Sequence, residues 1–407
     1  MTVCAAAVER AGDADIPAER QNAPSMPRSV WVLVAAGTLI RLLLAFTTDG
    51  QPYDMEVARE LFPVLDRSPL DVYATRIGPG EGIAWPYPPG FFPFAYLAGQ
   101  LSDLTGLGYG ALLRVPLIAA DAGIALVVAS AAKGRRAVAA AALVALGPSF
   151  IVISGYHGQI DPLAILPAVA AVAFWDRMPG PRRALYAGLL VGAGCAIKTT
   201  PIYVLLALLP SVRSWREAVT MVAAAAAVPL ALMAPFLAHT PHELIDALKY
   251  HGFRGTSPLS ILLQPEFAEQ LTRLVTPGRL VSWIYEHGPA IVTVTLTAVA
   301  LLTTRLGRGW SPAERAGLLW LAFYIVTPVF FFQYLVWGLP FLLLADRGRL
   351  VLAVQVVALL PTVLFYRAPW EDGAVAWPYG GAMLALWVVF VLGFVLVLRD
   401  RRREAVA

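Results

Sequence analysis

Carboxylate side chains are concentrated in one polar stretch, residues 49–90, that follows the first long apolar segment of the chain. A carboxylate fixed at a membrane surface could act as a general base and take a proton from a hydroxyl group. Asp54 is the best candidate, with Asp49 and Glu56 as alternatives, and Glu56 could also bind substrate. Asp54 could equally be the N-cap of a helix, accepting hydrogen bonds from first-turn amides. The two roles are compatible, and we predict Asp54 as the catalytic base.

A second group of polar side chains lies in the turn GYHGQIDP, residues 155–162. Its imidazole, amide and carboxylate, from His157, Gln159 and Asp161, could bind hydroxyl groups or a metal ion held by a phosphate. The alternative is a turn in which Asp161 caps the helix that Pro162 begins. A turn that only connects two helices would not need His and Gln, so we predict that His157, Gln159 and Asp161 bind substrate.

Cationic side chains suited to a phosphate group occur in two further stretches. Lys198 lies in GCAIKTTP, and His251 and Arg254 lie in YHGFRG. A lysine between apolar segments needs an anionic partner, and arginine offers a planar donor fork that matches phosphate. The alternatives are a snorkelling lysine and a solvated loop beside lipid headgroups. We predict that all three bind substrate.

Two aromatic motifs, WPYPPGFF at residues 85–92 and QYLVWGLP at residues 333–340, accompany these polar groups. Gln333 opens the second motif and is predicted to bind substrate. Aromatic side chains are enriched at membrane interfaces. We therefore interpret most of these rings as an interfacial belt.

The composition is that of a polytopic membrane protein, because 58% of the 407 residues are hydrophobic and only 14% are charged. The net charge of +4 is spread over short basic clusters between apolar runs, which argues against a nucleic-acid partner. Cys4 and Cys195 lie in unlike surroundings, so we predict neither a disulfide nor a cysteine metal site. Residues 1–28 lack an apolar core and are expected to be a disordered cytoplasmic tail.

Twelve apolar segments are candidate transmembrane helices, since about 20 apolar residues cross a bilayer. They lie near 29–47, 111–132, 137–154, 162–175, 184–197, 200–212, 218–237, 288–304, 316–332, 334–345, 350–366 and 381–398. The sequence therefore predicts an all-α polytopic membrane protein of about twelve transmembrane helices.

The position of six basic clusters orients these segments. The clusters lie at residues 133–136, 176–183, 212–216, 305–308, 346–349 and 399–403. If residues 90–101 lie along the interface or re-enter the membrane instead of spanning it, all six clusters fall on the side of the N-terminal tail, as the positive-inside rule requires. Both termini are then cytoplasmic and the candidate site is extracytoplasmic. The transmembrane domain is 29–398, with extracytoplasmic loops at 48–110 and 238–287 and a basic cytoplasmic tail at 399–407.

The first of these loops is predicted to carry a membrane-surface helix that starts near Asp54. Its apolar residues recur at helical spacing, which favours an amphipathic helix with one buried face. Those residues are Met55, Ala58, Leu61, Phe62 and Leu65. Pro63 could kink or end the helix.

Taken in order, these motifs resemble those of the GT-C fold glycosyltransferases, which take sugars from polyprenyl-phosphate carriers. The chain is most similar to bacterial, actinobacterial-type polyprenol-phosphate-mannose-dependent α-mannosyltransferases of glycosyltransferase family 87. YDMEVARE resembles the first-loop segment that carries the family's proposed base, here Asp54. HGQID, KTTP, YHGFRG and QYLVWGLP resemble four further motifs. In WPYPPGFF, Trp85 and Pro86 replace an acidic residue that the family often has.

The resemblance implies an integral-membrane hexosyltransferase that inverts the configuration of the transferred sugar, with mannose favoured. Its expected partners are a polyprenyl-phosphate sugar donor, a glycolipid or glycan acceptor and membrane lipids, at the plasma membrane. No cofactor is predicted, although a divalent cation could bind through Asp54 and Asp161. The alternatives are a transporter or flippase of a lipid-linked or polar substrate, and an inactive scaffold. Arg41 and Asp121, which lie inside apolar segments, are the residues that a transporter would explain.

Overall fold

A computed structural model describes residues 26–250, 257–270, 275–306, 309–367 and 375–406. Over these residues the chain is mainly helical and has no strand, only an isolated antiparallel bridge between Ile77 and Ile83, which confirms the all-α prediction. The helices of the first half are α1 (Arg28–Thr47), α2 (Pro52–Arg67), α3 (Phe92–Thr105), α4 (Tyr109–Ala131), α5 (Gly134–Ala145), the single turn α6 (Pro148–Phe150), a π-helix (Ile151–His157), α7 (Asp161–Ala173) and α8 (Arg183–Cys195).

The second half continues as a series of long helices separated by short ones. They are α9 (Val204–Leu208), α10 (Trp215–His239), α11 (Pro241–Leu248), α12 (Pro258–Leu263), α13 (Arg279–Glu286), α14 (Gly288–Arg305), α15 (Pro312–Val326), α16 (Tyr334–Leu344), α17 (Gly348–Arg367) and α18 (Ala376–Val406). The predicted loop 238–287 contains α11, α12 and α13, and residues 1–25 of the predicted tail lie outside the described part.

Seven helical segments in the described ranges are long and apolar enough to cross a membrane, with α5, α6 and the π-helix (Gly134–His157) counted as one. Shorter apolar helices account for most of the remaining predicted segments. Residues 316–332 are helical only as far as Val326. The chain therefore has the helices of a polytopic membrane protein, and the count of twelve spans stays a prediction.

Interactions between side chains gather the basic clusters on one face of the molecule. The contacts that join neighbouring clusters and loops are Arg136–Asp346 at 2.6 Å, Arg347–Asp400 at 2.5 Å, Arg401–Glu314, Arg315–Ser211 at 2.8 Å, and Arg177 to the carbonyl of Ser130 at 3.0 Å. This common face is what the positive-inside argument assumed.

The two ionisable residues inside apolar helices pair with each other. Arg41 and Asp121 are almost fully buried, and Arg41 Nε lies 3.3 Å from Asp121 Oδ2. Arg41 also donates to the carbonyls of Val144 (2.8 Å) and Ala145 (2.5 Å), where α5 ends. A broken helix inside a membrane needs donors for such carbonyls. The pair therefore joins α1, α4 and the end of α5.

The amphipathic helix predicted in the first loop is α2. Met55, Ala58, Leu61 and Leu65 are buried on one face of it, and full burial of a leucine contributes about 1.5–3 kcal/mol. The N-cap is Gln51, not Asp54, because its side chain accepts a hydrogen bond from the Asp54 amide at 2.6 Å. Asp54 therefore lies in the first turn, with its carboxylate free for other partners.

The motif WPYPPGFF packs into the core of the first loop. Trp85 is 3% exposed and stacks on Phe91, with ring centroids 5.8 Å apart. Gly90 approaches the turn before Lys198 so closely that its amide donates to the Ala196 carbonyl at 2.7 Å. The expectation of an interfacial belt is thus wrong for these rings, since packing within the loop and against that turn buries them.

Candidate active site

A cavity of about 620 Å³ lies where α2, the π-helix, α16 and the turn before α9 meet. Its polar lining contains most of the residues that the sequence singled out. The charged and amide residues among them are Gln51, Asp54, His157, Gln159, Lys198 and Gln333. The rest of the wall is largely aromatic, from Tyr53, Tyr87, Tyr250, Phe331, Tyr334, Trp337 and Phe365.

Asp54 and His157, 103 positions apart in the chain, contact each other directly in the wall of the cavity. His157 Nε2 lies 2.5 Å from Asp54 Oδ2, and the Tyr366 hydroxyl contacts His157 Nδ1. An ionised carboxylate only accepts hydrogen bonds, so Nε2 carries the proton and, in the neutral ring, Nδ1 accepts from Tyr366. The Asp54 side chain is 31% exposed, whereas His157 is buried. The buried His157 side chain thus orients the carboxylate of Asp54, which remains accessible from the cavity.

The surroundings of Asp54 favour its ionised form. Burial by itself would raise the pKa of Asp54, but the hydrogen bonds from His157 and Gln159 and the positive charge of Lys198 outweigh it. The pKa therefore lies below the ordinary value of 3.8. Such a carboxylate is ionised at neutral pH and can accept a proton.

A pH dependence of stability follows from the lowered pKa of Asp54. Interactions that favour the ionised form stabilise the fold above the pKa of the unfolded carboxyl, about 3.9, and are lost as the pH falls through the lower folded pKa. The melting-temperature difference between wild type and Asp54→Asn measures this contribution. It should shift towards a less stable wild type below about pH 4. A difference that does not change down to pH 3 would contradict the lowered pKa.

Lys198, which lines the cavity, forms a buried ion pair with Asp161, which lies behind the wall and does not line the cavity itself. Lys198 Nζ lies 2.8 Å from Asp161 Oδ1, which also accepts from the Trp337 indole. The ammonium group lies 4.9 Å from the centre of the Tyr87 ring. Asp161 opens α7 without capping it, which excludes the simple-cap alternative. Lys198 has three N–H donors, and the Asp161 contact uses one of them, which leaves capacity for an anion in the cavity.

Gln333 adds an acceptor that is free of any partner among the described residues. Its side-chain carbonyl is buried, lines the cavity and accepts no hydrogen bond there. A buried polar atom without a partner is costly, and a hydroxyl-rich ligand would satisfy it. Tyr334 and Trp337, stacked with centroids 3.8 Å apart, lie beside it on the cavity wall and not in an interfacial belt.

The other predicted site residues are distributed differently. Glu56 is half-buried on α2 and does not line the cavity. His251 and Arg254 lie outside the described residues. Among the residues that the structure describes, no three His, Cys, Asp or Glu side chains cluster closely enough to hold a metal ion.

Two residues support the site in ways that the sequence did not predict. Tyr366 near the end of α17 contacts His157, and no local pattern marks it. Arg114 of α4 is buried and donates to backbone carbonyls on both sides of the site, Thr48 at 2.6 Å and Gly155 at 3.1 Å. It therefore ties the end of α1 to the π-helix that carries His157. The signal available in the sequence was an arginine near the start of an apolar segment.

Gly158, between His157 and Gln159, is expected to tolerate no side chain. It has a φ of +85°, and a Cβ there would lie 2.4 Å from Met55 Cε. Gly158→Ala should destabilise the protein by about 1–3 kcal/mol and displace α2, so the activity that the sequence predicts should fall as well. The matched control is Gly106→Ala, which has a φ of +72° and open space around it. Equal activity losses in the two variants would contradict a specific role of the Met55 contact.

Tyr366→Phe removes the hydroxyl behind His157 and keeps the ring. One neutral hydrogen bond is worth about 0.5–1.5 kcal/mol, so we expect kcat to fall roughly 2–10-fold with KM unchanged. Steady-state kinetics test this expectation, with the exposed Tyr96→Phe as a control. An unchanged kcat in Tyr366→Phe would exclude a positioning role.

A second, more apolar cavity of about 370 Å³ adjoins the first. The two share Thr199, Thr200, Tyr334 and Trp337, and the second continues towards α14. The site thus combines an oriented carboxylate, a buried ammonium group and an apolar extension. The chain thus combines the helices of a polytopic membrane protein with a cavity at the end of the helices opposite the basic face.

Comparison with known protein families matches residues 85–331 to the family described as Glycosyltransferase family 87. The match covers more than half of the chain and includes His157, Gln159, Asp161 and Lys198. The chain therefore belongs to glycosyltransferase family 87. No curated protein matches it. Asp54 lies before the matched region and Gln333 and Tyr366 lie after it.

Proposed function

We propose that this protein is an inverting glycosyltransferase that moves a hexose, with mannose favoured, from a polyprenyl-phosphate donor to a hydroxyl group of a lipid or glycan acceptor. The observation that carries the proposal is the Asp54–His157 contact of 2.5 Å on a cavity that also holds the Lys198 ammonium. A base and a cation facing one space are what transfer from a phosphate leaving group requires.

Asp54 acts as the general base in the proposed reaction. The acceptor oxygen bonds to the anomeric carbon from the side opposite the phosphate, while the bond from that carbon to the phosphate oxygen breaks. The phosphate leaves with the electron pair, and the acceptor proton passes to Asp54. The hydroxyl becomes strongly acidic only as its oxygen forms the new bond, so a carboxylate of low pKa suffices to take the proton.

Lys198 stabilises the charge that develops on the leaving phosphate. Its ammonium is fixed by Asp161 and by the aromatic rings around it, so little reorganisation is needed during the reaction. Gln333, whose acceptor oxygen is free of protein partners, binds a sugar hydroxyl. The apolar cavity towards α14 receives the first isoprene units of the carrier.

The proposal places the cavity on the extracytoplasmic side of the plasma membrane, with both termini cytoplasmic. It rests on the basic clusters, which contact one another at the other end of the helices. The long first loop, whose helix α2 carries Asp54 at the cavity, is consistent with a GT-C fold.

A donor panel tests the function. Purified protein is given an extract of bacterial envelope lipids as acceptor and radiolabelled polyprenyl-phosphate mannose, polyprenyl-phosphate glucose or a nucleotide-linked mannose. We expect transfer from a polyprenyl-phosphate sugar only, with mannose fastest. Transfer from the nucleotide sugar alone would overturn the lipid-linked donor. No transfer, together with movement of intact donor between the leaflets of reconstituted vesicles, would favour a flippase.

A further inference from the structure

The basic face of the protein contains a groove that the proposed transfer reaction does not use. It has a volume of about 1180 Å³ and is formed by α5, the turn between α16 and α17, and the end of α18. Its mouth carries five arginines and two aspartates, a net charge of +3. The arginines are Arg135, Arg136, Arg347, Arg349 and Arg399.

The two aspartates hold two of the arginines in place and leave the others available. Arg136 pairs with Asp346 at 2.6 Å, and Arg347 pairs with Asp400 at 2.5 Å. Asp346 adopts a positive φ of 59°, uncommon for a residue other than glycine, so the turn that carries these pairs has a defined shape. The pairs link the ends of three helices into one rim.

Arg135, Arg349 and Arg399 are exposed at this rim, and within the described part of the chain no carboxylate pairs with them. Three cations at one mouth repel one another, and an anion between them would relieve that repulsion. Guanidinium groups are well matched to phosphate, which accepts two parallel hydrogen bonds from one arginine.

The walls below the rim are apolar. They include Leu143 of α5, Leu352 of α17 and Leu396 of α18. Leu143 lies eight residues beyond Arg135, which at 1.5 Å per residue is about 12 Å along the helix. A small inorganic anion would leave this length of the groove unfilled, whereas hydrocarbon chains attached to the anion would fill it.

We propose that this groove binds an anionic phospholipid, with its phosphate between Arg135, Arg349 and Arg399 and its acyl chains along α5, α17 and α18. Basic pockets between membrane helices on the cytoplasmic side are suited to anionic headgroups. Charge complementarity and the apolar walls select this ligand over a soluble acidic partner. The site is separate from the Asp54 cavity, so it does not depend on the proposed transfer reaction.

The test measures the melting temperature of the purified full chain in an uncharged detergent. Short-chain phosphatidylglycerol, short-chain phosphatidylcholine or inorganic phosphate is added at equal concentration. We expect phosphatidylglycerol to raise the melting temperature by several degrees, because a ligand that binds only the folded state stabilises it. Phosphatidylcholine and inorganic phosphate should each raise the melting temperature by less than a third of that amount. An equal shift with the choline lipid, or the full shift with phosphate alone, would overturn the proposal.

Two triple variants locate the site. R135Q/R349Q/R399Q should lose most of the phosphatidylglycerol response, and R182Q/R213Q/R216Q, which removes equal charge from other basic loops, should keep it. An equal loss of the phosphatidylglycerol response in both variants would show that it depends on general surface charge, and this would overturn the proposed site. If the first variant does not fold, native mass spectrometry of the wild type tests the proposal instead. We expect the protein to retain phosphatidylglycerol in preference to phosphatidylcholine. Equal retention of the two lipids would overturn the proposal.

Discussion

Asp54→Asn is expected to lower the transfer rate by about 10²–10⁴-fold, the usual contribution of a positioned general base. The amide has nearly the shape of the carboxylate and can still accept the hydrogen bond from His157 Nε2. It cannot take the acceptor proton. The loss should therefore appear in kcat, with the KM for the donor changed little, in steady-state assays with a polyprenyl-phosphate sugar.

The control for this variant is Asp66→Asn, an exposed carboxylate on the same helix. It should have wild-type activity and the same expression level. Glu56→Gln addresses the alternative base, and since Glu56 does not line the cavity it should retain far more activity than Asp54→Asn. A fully active Asp54→Asn beside an inactive Glu56→Gln would transfer the role of base to Glu56.

Lys198→Met is expected to lower both activity and stability. Transfer should fall about 10²–10³-fold, because the variant loses the cation that faces the leaving phosphate. Stability should fall by about 3–5 kcal/mol, because Asp161 would remain as a buried charge without its ammonium partner. Thermal unfolding and single-turnover transfer on the same preparation measure the two effects.

The double variant Lys198→Met with Asp161→Asn separates these two effects. With both charges removed, most of the lost stability should return, whereas the activity should not. Lys249→Met, which breaks an exposed pair with Asp246, should change stability by less than about 1 kcal/mol. Restored activity in the double variant would show that Lys198 supports the fold without taking part in transfer.

The local features of the site could be predicted because they depend on neighbours in the sequence. The apolar spacing of Met55, Leu61 and Leu65 predicts α2, and the structure has that helix. Its cap was harder to assign, since Gln51 and Asp54 both offer a side-chain oxygen near the helix start. Gln51 caps the helix, and this leaves Asp54 to interact with His157.

The partners across the site could not be predicted because they are far apart in the sequence. His157 and Tyr366 are 209 positions apart, and Trp337 and Asp161 are 176 positions apart. Their contacts depend on how α7, α16 and α17 pack, and periodicity carries no information about which helices become neighbours. The aromatic motifs were misinterpreted for the same reason, since a ring that packs inside the protein and a ring at the membrane interface have the same local sequence.

The anomeric configuration of the transferred sugar tests the central claim most directly. Product formed from a polyprenyl-phosphate mannose donor of known configuration is isolated and analysed by NMR spectroscopy. With Asp54 as a general base, a single displacement must invert the configuration relative to the donor. Retention would require two displacements with an enzyme nucleophile, and it would contradict the assignment of Asp54 as a base.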